Sequence, residues 1–363
     1  MKTLLAFGTI DLHEVQLVLG LAAKPDVSIH VMCNTNCPNS QRLVAAGVDV
    51  EHLDCRNKLD RSAIKQLKKK LASGKCDIVQ TFTSRILANT LWAVRGLPQP
   101  PKVVSFRGVM GRLSRFDPAT WLTYLNPRLA AVSCISEAAR QGLIDSRVRA
   151  KLRTIHLGLD ESWFADYHQP SLTNCGIPAG AFTVGCVANI RPVKGIDLLL
   201  RSALDLVKHR EIHWVLVGEV RDKQVQRLAA DPRLAGRVHP LGFREDGAEL
   251  AGSFDVFVMP SRQEGLSKSL MEAMAQGVCP VITDVGGMPE LVRHERDGLV
   301  VPKENVPALT AAIEALYHNA QLRHNLSESA RQRILRDFST QKMIDETYRF
   351  HQELLDNTTR RAA

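Results

Sequence analysis

The chain has 363 residues, 45% apolar and 23% charged, a size that exceeds one hydrophobic core and fits two domains. Its composition excludes fibrous, disordered and disulfide-framework classes, and no apolar run approaches the ~20 residues that cross a bilayer. The formal charge of +9 suits nucleic acid, an anionic membrane surface or a phosphorylated substrate, but no nucleic-acid module accompanies it, so nucleic acid is not expected as a partner.

The opening MKTLLAFGTIDLHEV has one Lys and a brief apolar stretch before Asp11 and Glu14, too short for a secretory leader. It reads as a first strand, and a cytoplasmic protein, peripheral at the inner face of the membrane, is expected. Strand signals lie at Thr3–Phe7, Val27–Met32, Val48–His52, Ile78–Thr81, Val103–Phe106, Ala130–Ile135 and Arg153–His156, with helical stretches such as Glu14–Ala23, Arg61–Leu71 and Ile86–Val94 between them. This alternation predicts a parallel sheet covered on both faces. Lys65, Lys68, Lys69, Lys70 and Lys75 crowd one helical stretch. Such a face is either simply solvated or docks on an anionic leaflet, where each charge contributes roughly 1 kcal/mol.

Eight cysteines show no Cys-x2-Cys spacing, and several fall inside strand-like runs, as buried thiols in a reducing compartment do. Cys33 and Cys37 lack two further ligands at usable spacing, so no metal site is expected. Gly8, directly after the first strand, permits close backbone approach. In SFRGVMG, Arg107 follows a strand and reads either as one half of an ion pair or as a contact for an anionic group. SCISEAARQGL reads as a strand running into a helix capped by Ser136, with Glu137 in its first turn. The turn-rich stretch from His168 to Gly180 marks a boundary, giving domains 1–165 and 166–337.

In the second half, strand Phe182–Ala188 leads through NIRPVKG into a helix with an apolar stripe at Ile196, Leu199, Leu200 and Ala203. Arg191 and Lys194 therefore stand at a strand-to-helix turn. Cations there oppose the helix macrodipole, so something other than helix stability favours them, and they can neutralise a diphosphate. Strands His213–Val217 and Val238–Leu241 follow. Residues 254–290 then read as strand Phe254–Met259, a polar turn, helix Ser267–Gln276 with Leu270, Met271 and Met274 inward, and strand Val278–Thr283. Glu264 lies in the turn and Glu272 in the helix. The backbone N–H groups of Ser267, Lys268 and Ser269 at the helix start favour an anion. A phosphate flanked by two carboxylate acceptors suits a nucleotide-sugar.

Glu264-x7-Glu272 within EGLSKSLMEAMAQG, followed by GGMPELV and DGLVV and preceded by VANIRPVKGIDLLL, resembles the retaining glycosyltransferases of family four, the group 1 glycosyl transferases. The resemblance implies a GT-B fold: α/β, two doubly wound Rossmann-like parallel-sheet domains facing across a cleft. It also implies that a final helix, residues 338–357, returns to the first domain. By the same resemblance the catalytic group comprises Lys194, Arg191, Glu264 and Arg107, with Lys194 on the donor phosphates and Glu264 on the donor sugar. Ser267, Lys268, Ser269, Glu272 and Gly8 would bind the nucleotide-diphospho-sugar, Glu272 through the ribose.

This chain departs from the family pattern in three places. Arg107 stands where the family has a His, Gly8 where it has a Gly-Gly loop, and Asn189 where it has an Arg, with Arg191 as the substitute. His13 becomes a candidate on the acceptor side. No Asp-x-Asp motif is present, so these cations stand in for a metal and no cofactor is expected. The expected reaction is retaining transfer to a saccharide or lipid-linked acceptor, in cell-surface polysaccharide or lipopolysaccharide synthesis. A nucleotide-sugar epimerase and a non-catalytic nucleotide-sugar-binding protein are the alternatives. A dehydrogenase is excluded by the lack of G-x-G-x-x-G after any strand.

Overall fold

Parallel strands cannot be joined by tight turns; each needs a crossover, and a helix that covers the sheet provides one. A computed structural model of the chain describes residues 1–362, apart from residues 74, 75, 165, 166, 168 and 169 and the side chains beyond Asp356. It comprises two units, one of Met1–Gly158 with Ser339–Ala363 and the other of Leu159–Phe338. The boundary expected at 165/166 falls outside the described residues, as does Lys75 of the basic run.

The first unit runs β1 (Lys2–Ala6), α1 (Leu12–Ala22), β2 (Ser28–Cys33), α2 (Ser40–Ala45), β3 (Asp49–His52), α3 (Arg61–Leu71), β4 (Ile78–Thr81), α4 (Ser84–Ala93), β5 (Lys102–Arg107), α5 (Pro118–Trp121), β6 (Leu129–Cys134), α6 (Glu137–Asp145) and β7 (Lys151–Thr154). Its sheet is wholly parallel, in the order β3-β2-β1-β4-β5-β6-β7. The second unit runs β8 (Phe182–Val187), α7 (Ile196–Asp205), β9 (Ile212–Val217), α8 (Lys223–Ala229), β10 (Val238–Gly242), α9 (Gly247–Ala251), β11 (Val256–Met259), α10 (Lys268–Ala275), β12 (Cys279–Thr283), α11 (Met288–Leu291), β13 (Leu299–Val301), α12 (Val306–His318) and α13 (Ala320–Asp337). Its parallel sheet has the order β10-β9-β8-β11-β12-β13. The doubly wound α/β class read from the sequence is the class observed. Every expected strand forms, with its ends displaced by at most two residues. β13 escapes the sequence reading, because three residues carry no measurable periodicity.

In both sheets the chain starts in the middle and winds outward in both directions. The order reverses between β1 and β4 in the first sheet and between β8 and β11 in the second. Loops leaving two such strands diverge, and the carboxyl edge between them is open to a ligand.

A last helix, α14 (Thr340–Ala362), belongs to the first unit. Lys24 pairs with Asp345 at 2.8 Å, and the Tyr348 hydroxyl donates to Asp26 at 2.7 Å. Fully buried His351 meets the Gln80 side chain at 2.7 Å, and burial pushes its imidazole down to about 4. Glu353 takes both Lys151 and Arg153, at 2.6 and 2.7 Å. The helix start presses on Gly158, where an added Cβ would lie 2.4 Å from Thr340 Cα and 2.7 Å from Ser339 O. Because those neighbours are backbone, they cannot rotate away. Gly158→Ala is therefore expected to destabilise the protein by about 1–3 kcal/mol, read as a lower urea midpoint at unchanged slope.

Candidate functional site

The turn after β8 and the turn after β11 meet at the reversal point of the second sheet. Arg191 opens a 3-10 turn, Pro192–Lys194, which Gly195 ends at φ +66° before α7 begins. A Cβ at Gly195 would lie 1.9 Å from the Pro260 carbonyl, so only glycine lets this loop reach the end of β11. The two turns are then fastened by Arg262. Its backbone N–H donates to Val193 O at 2.8 Å, and its guanidinium donates to Pro192 O at 2.6 Å. The guanidinium also grips buried Asp197 on both oxygens, at 2.6 and 2.8 Å, and reaches Glu304 at 2.5 Å. Asp197, and then Glu304, hold Arg262 above its usual range.

This fastening brings together two residues seventy positions apart. Lys194 Nζ lies 2.5 Å from Glu264 Oε2, and the side chains keep 17% and 15% of their surface exposed. Ser261 Oγ lies 3.5 Å from the same carboxylate oxygen. The Glu264 carbonyl accepts from Gly287 N at 3.2 Å, and Thr283 Oγ1 donates to Ser261 O at 2.6 Å, so the ends of β12 and β11 are joined as well.

The helix that follows starts one residue later than the sequence places it, with Ser267 as its cap rather than its first residue. Ser267 caps α10, its hydroxyl accepting from Leu270 N at 3.3 Å, and the Ser269 hydroxyl donates to Val187 O at 2.7 Å. That second bond ties the helix start to the end of β8. It also uses the one proton of the Ser269 hydroxyl, so the donor that Ser269 can still offer is its backbone N–H. Lys268 and Glu272 sit one turn apart on α10. Burial pushes Glu272 up to about 7, and burial likewise pulls Lys268 down to about 8, each softened by the other's charge. Arg191, by contrast, is exposed, and its side chain makes no hydrogen bond or ion pair among the described residues.

The remaining sequence candidates lie in the first unit. Gly8 stands at the reversal point between β1 and β4, its carbonyl accepting from Asn34 N at 3.1 Å. A Cβ there would touch Thr83 Cγ2 at 3.1 Å, so packing against the α4 cap asks for a small residue. His13 is buried with Nδ1 on the Gly158 carbonyl at 2.6 Å, and burial lowers its pKa; that geometry is structural. Arg107 ends β5 and is 5% exposed, and it forms no ion pair among the described residues.

Sequence reasoning missed Arg262 and Asp197. An acid on the buried side of the α7 stripe was the available signal. It also did not foresee that His209, Glu314 and His318 come within reach of one ion. That group lies at the amino edge of the sheet, away from the two turns, and Lys208 and His209 together hold Glu314 down to about 2.

The chain matches two family descriptions, Glycosyltransferase Family 4 over residues 13–163 and Glycosyl transferases group 1 over residues 181–319. It is 35% identical over 142 residues to a Campylobacter jejuni N,N'-diacetylbacillosaminyl-diphospho-undecaprenol alpha-1,3-N-acetylgalactosaminyltransferase, covering 39% of this chain and 37% of that one. It is 31% identical over 187 residues to the lipopolysaccharide core biosynthesis mannosyltransferase LpcC of Rhizobium leguminosarum, covering 48% and 53%. The chain thus spans about a third to a half of the length of these curated relatives. Among solved structures, Anabaena Alr3699/HepE in complex with UDP superposes with a TM-score of 0.77 at 20% identity, over 97% of this chain and 100% of that one. The shared fold is GT-B.

Arg262→Gln is expected to cost about 2–3 kcal/mol in urea unfolding, since it strands buried Asp197. The loss stays below that of a fully buried pair because Arg262 is 30% exposed. Asp197→Asn with Arg262→Gln should recover part of it.

Proposed function

Because the chain belongs to the family-four, group 1 glycosyltransferases, we propose that it moves a sugar from a nucleotide-diphospho-sugar to a saccharide or lipid-linked acceptor, with retention of anomeric configuration, in cell-surface polysaccharide or lipopolysaccharide synthesis. The observation that carries this reading is the Lys194–Glu264 pair at 2.5 Å, set beside the start of α10 at the reversal point of the sheet. A cation, a carboxylate and a helix N-terminus at one edge match the parts of such a donor: phosphates, sugar hydroxyls and a leaving diphosphate.

Breaking the anomeric C–O bond builds positive charge on the sugar and negative charge on the leaving phosphate. Lys194, Arg191 and the backbone N–H groups of Ser267, Lys268 and Ser269 stabilise that negative charge without a metal. Preorganised donors of this kind commonly lower such barriers more than any other device. Glu264 accepts from the donor sugar and Glu272 from the ribose. Lys194 is already desolvated and held by Glu264, so little reorganisation accompanies the exchange of a carboxylate for a phosphate. The first unit supplies the acceptor surface. The exposed Lys65, Lys68 and Lys69 of α3 offer a face for an anionic leaflet, which suits a protein with no described helix long and apolar enough to cross a membrane.

Slow hydrolysis of a panel of UDP-, GDP- and ADP-sugars tests the reading: one donor should release its nucleotide. Lys194→Ala and Glu264→Ala should each lower that rate about 10²–10³-fold, the usual cost of removing one preorganised partner. Nucleotide binding without turnover on any acceptor would favour the non-catalytic alternative, and no nucleotide binding at all would sink the assignment.

The ribose role of Glu272 gives a pH signature. Its carboxylate accepts hydrogen bonds best when ionised, and the ionised fraction grows as pH rises through about 7. If only that form binds, nucleotide affinity should fall about tenfold between pH 8 and pH 6 by single-proton linkage. Glu272→Gln should flatten the profile in calorimetric titrations with UDP.

A further inference from the structure

A cation removed from water needs a compensating anion, and Arg107 has none of its own. Only 5% of its surface is exposed, yet no carboxylate pairs with it among the described residues. Nη2 donates to the Gly111 carbonyl at 3.0 Å, and the guanidinium lies over the Tyr124 ring at 4.8 Å. Nε is buried and donates to nothing among the described residues. A guanidinium presents five N–H donors in a rigid fork, so most of this fork is unused. Leaving a desolvated charge in that state is costly unless a ligand completes it.

The residue lines a cavity of about 420 Å³ lying wholly within the first unit. Lys58, half-buried and without a side-chain partner among the described residues, lines it too. So do Thr83 and Ser84 at the N-terminus of the ten-residue helix α4, where the macrodipole favours negative charge. The carboxylate in the lining, Asp117, caps α5 through Ala119 N at 2.9 Å and leaves Arg107 alone. The wall after β5 is fixed in place: Leu113 N donates to Ser146 Oγ at 2.8 Å, and Arg112 pairs with Asp145 at 3.1 Å. On the same segment three large apolar side chains face solvent, Val109 at 62%, Phe116 at 97% and Trp121 at 49% exposure.

We infer that the Arg107 cavity is the subsite for a phosphate group carried by a lipid-linked acceptor, with the apolar segment 109–121 lying along the lipid. Two cations and a helix N-terminus match a tetrahedral oxyanion of more than one charge, and the apolar rim matches the chain attached to it. That the bound group is an acceptor rests on the transferase reading, while the anion site itself stands on the first unit alone.

The test is equilibrium binding of inorganic pyrophosphate and of farnesyl diphosphate to the full chain, with UDP present at saturating concentration to occupy the second unit. Both probes should bind saturably to the wild type and at least tenfold more weakly to Arg107→Gln, with Arg107→Lys between them. Tighter farnesyl diphosphate than pyrophosphate assigns the phosphate to a lipid, and equal affinities assign it to a phosphorylated saccharide, which overturns the lipid assignment. Absence of saturable binding, or equal affinity in Arg107→Gln, overturns the site. Should Arg107→Gln fail to fold by circular dichroism, Lys58→Gln serves the same comparison, with a loss of about threefold or more expected. If UDP does not bind at all, the transferase reading fails, while the difference between wild type and Arg107→Gln still reports on the cavity.

Discussion

The second unit depends on one guanidinium. Arg262 holds Asp197 in the first turn of α7, the carbonyl of Pro192 and the side chain of Glu304, while its backbone N–H holds Val193. Two loops that leave diverging strands would otherwise sample many relative positions. A lysine side chain loses roughly 1.5–2 kcal/mol of rotamer freedom when it is fixed. With the loops fastened, that loss is met in folding, and Lys194 stands against Glu264 before any ligand arrives. A planar, bidentate, always-charged group is suited to this task, and a lysine could not reproduce its paired hydrogen bonds to Asp197 together with those to Pro192 and Glu304.

The ionisable groups of the two units are treated differently by their surroundings. In the second unit, Glu272 and Lys268 are pushed towards each other in pKa, to about 7 and about 8, by burial that neither fully offsets for the other. Groups shifted in this way cluster at functional sites, which is why this open edge of the sheet is the candidate. In the first unit, His13 and His351 are also shifted by burial, but each has one ring nitrogen held by a neighbour in the fold, a backbone carbonyl or the Gln80 amide. They help to seat α14. Arg107 belongs to neither class: it is buried much as the two histidines are, but it carries a charge that one backbone carbonyl and the Tyr124 ring do not neutralise.

The free thiols follow the same logic of burial. Cys33, Cys134, Cys186 and Cys279 lie in or beside strands, and burial pushes each up to about 12. Thiols that stay protonated are poor nucleophiles and poor metal ligands, so they act as small apolar side chains in the two cores.

Period-2 and short apolar runs against 3.6-residue stripes were enough to show two wound α/β units, because strands buried on both faces and helices buried on one leave strong local patterns. The cap Ser136 was legible for the same reason, since a cap is satisfied within three residues of its own position, whereas Ser267, read as the first helical residue, turns out to be a cap as well. Lys194, Glu264 and Glu272 were legible only through a motif, which records their spacing but not their contacts. The turn glycine that allows Lys194 to reach β11, the Arg262 clamp and the lack of a carboxylate beside Arg107 among the described residues are decided by chain segments far apart in sequence. No local pattern encodes such distances, since they are set by the order in which the strands pair. The sequence by itself thus determined the layers and which ionisable residues stand at the carboxyl edge of the second sheet. Tertiary structure alone decided which charges meet, because compensation of a buried charge is a property of its neighbours in space.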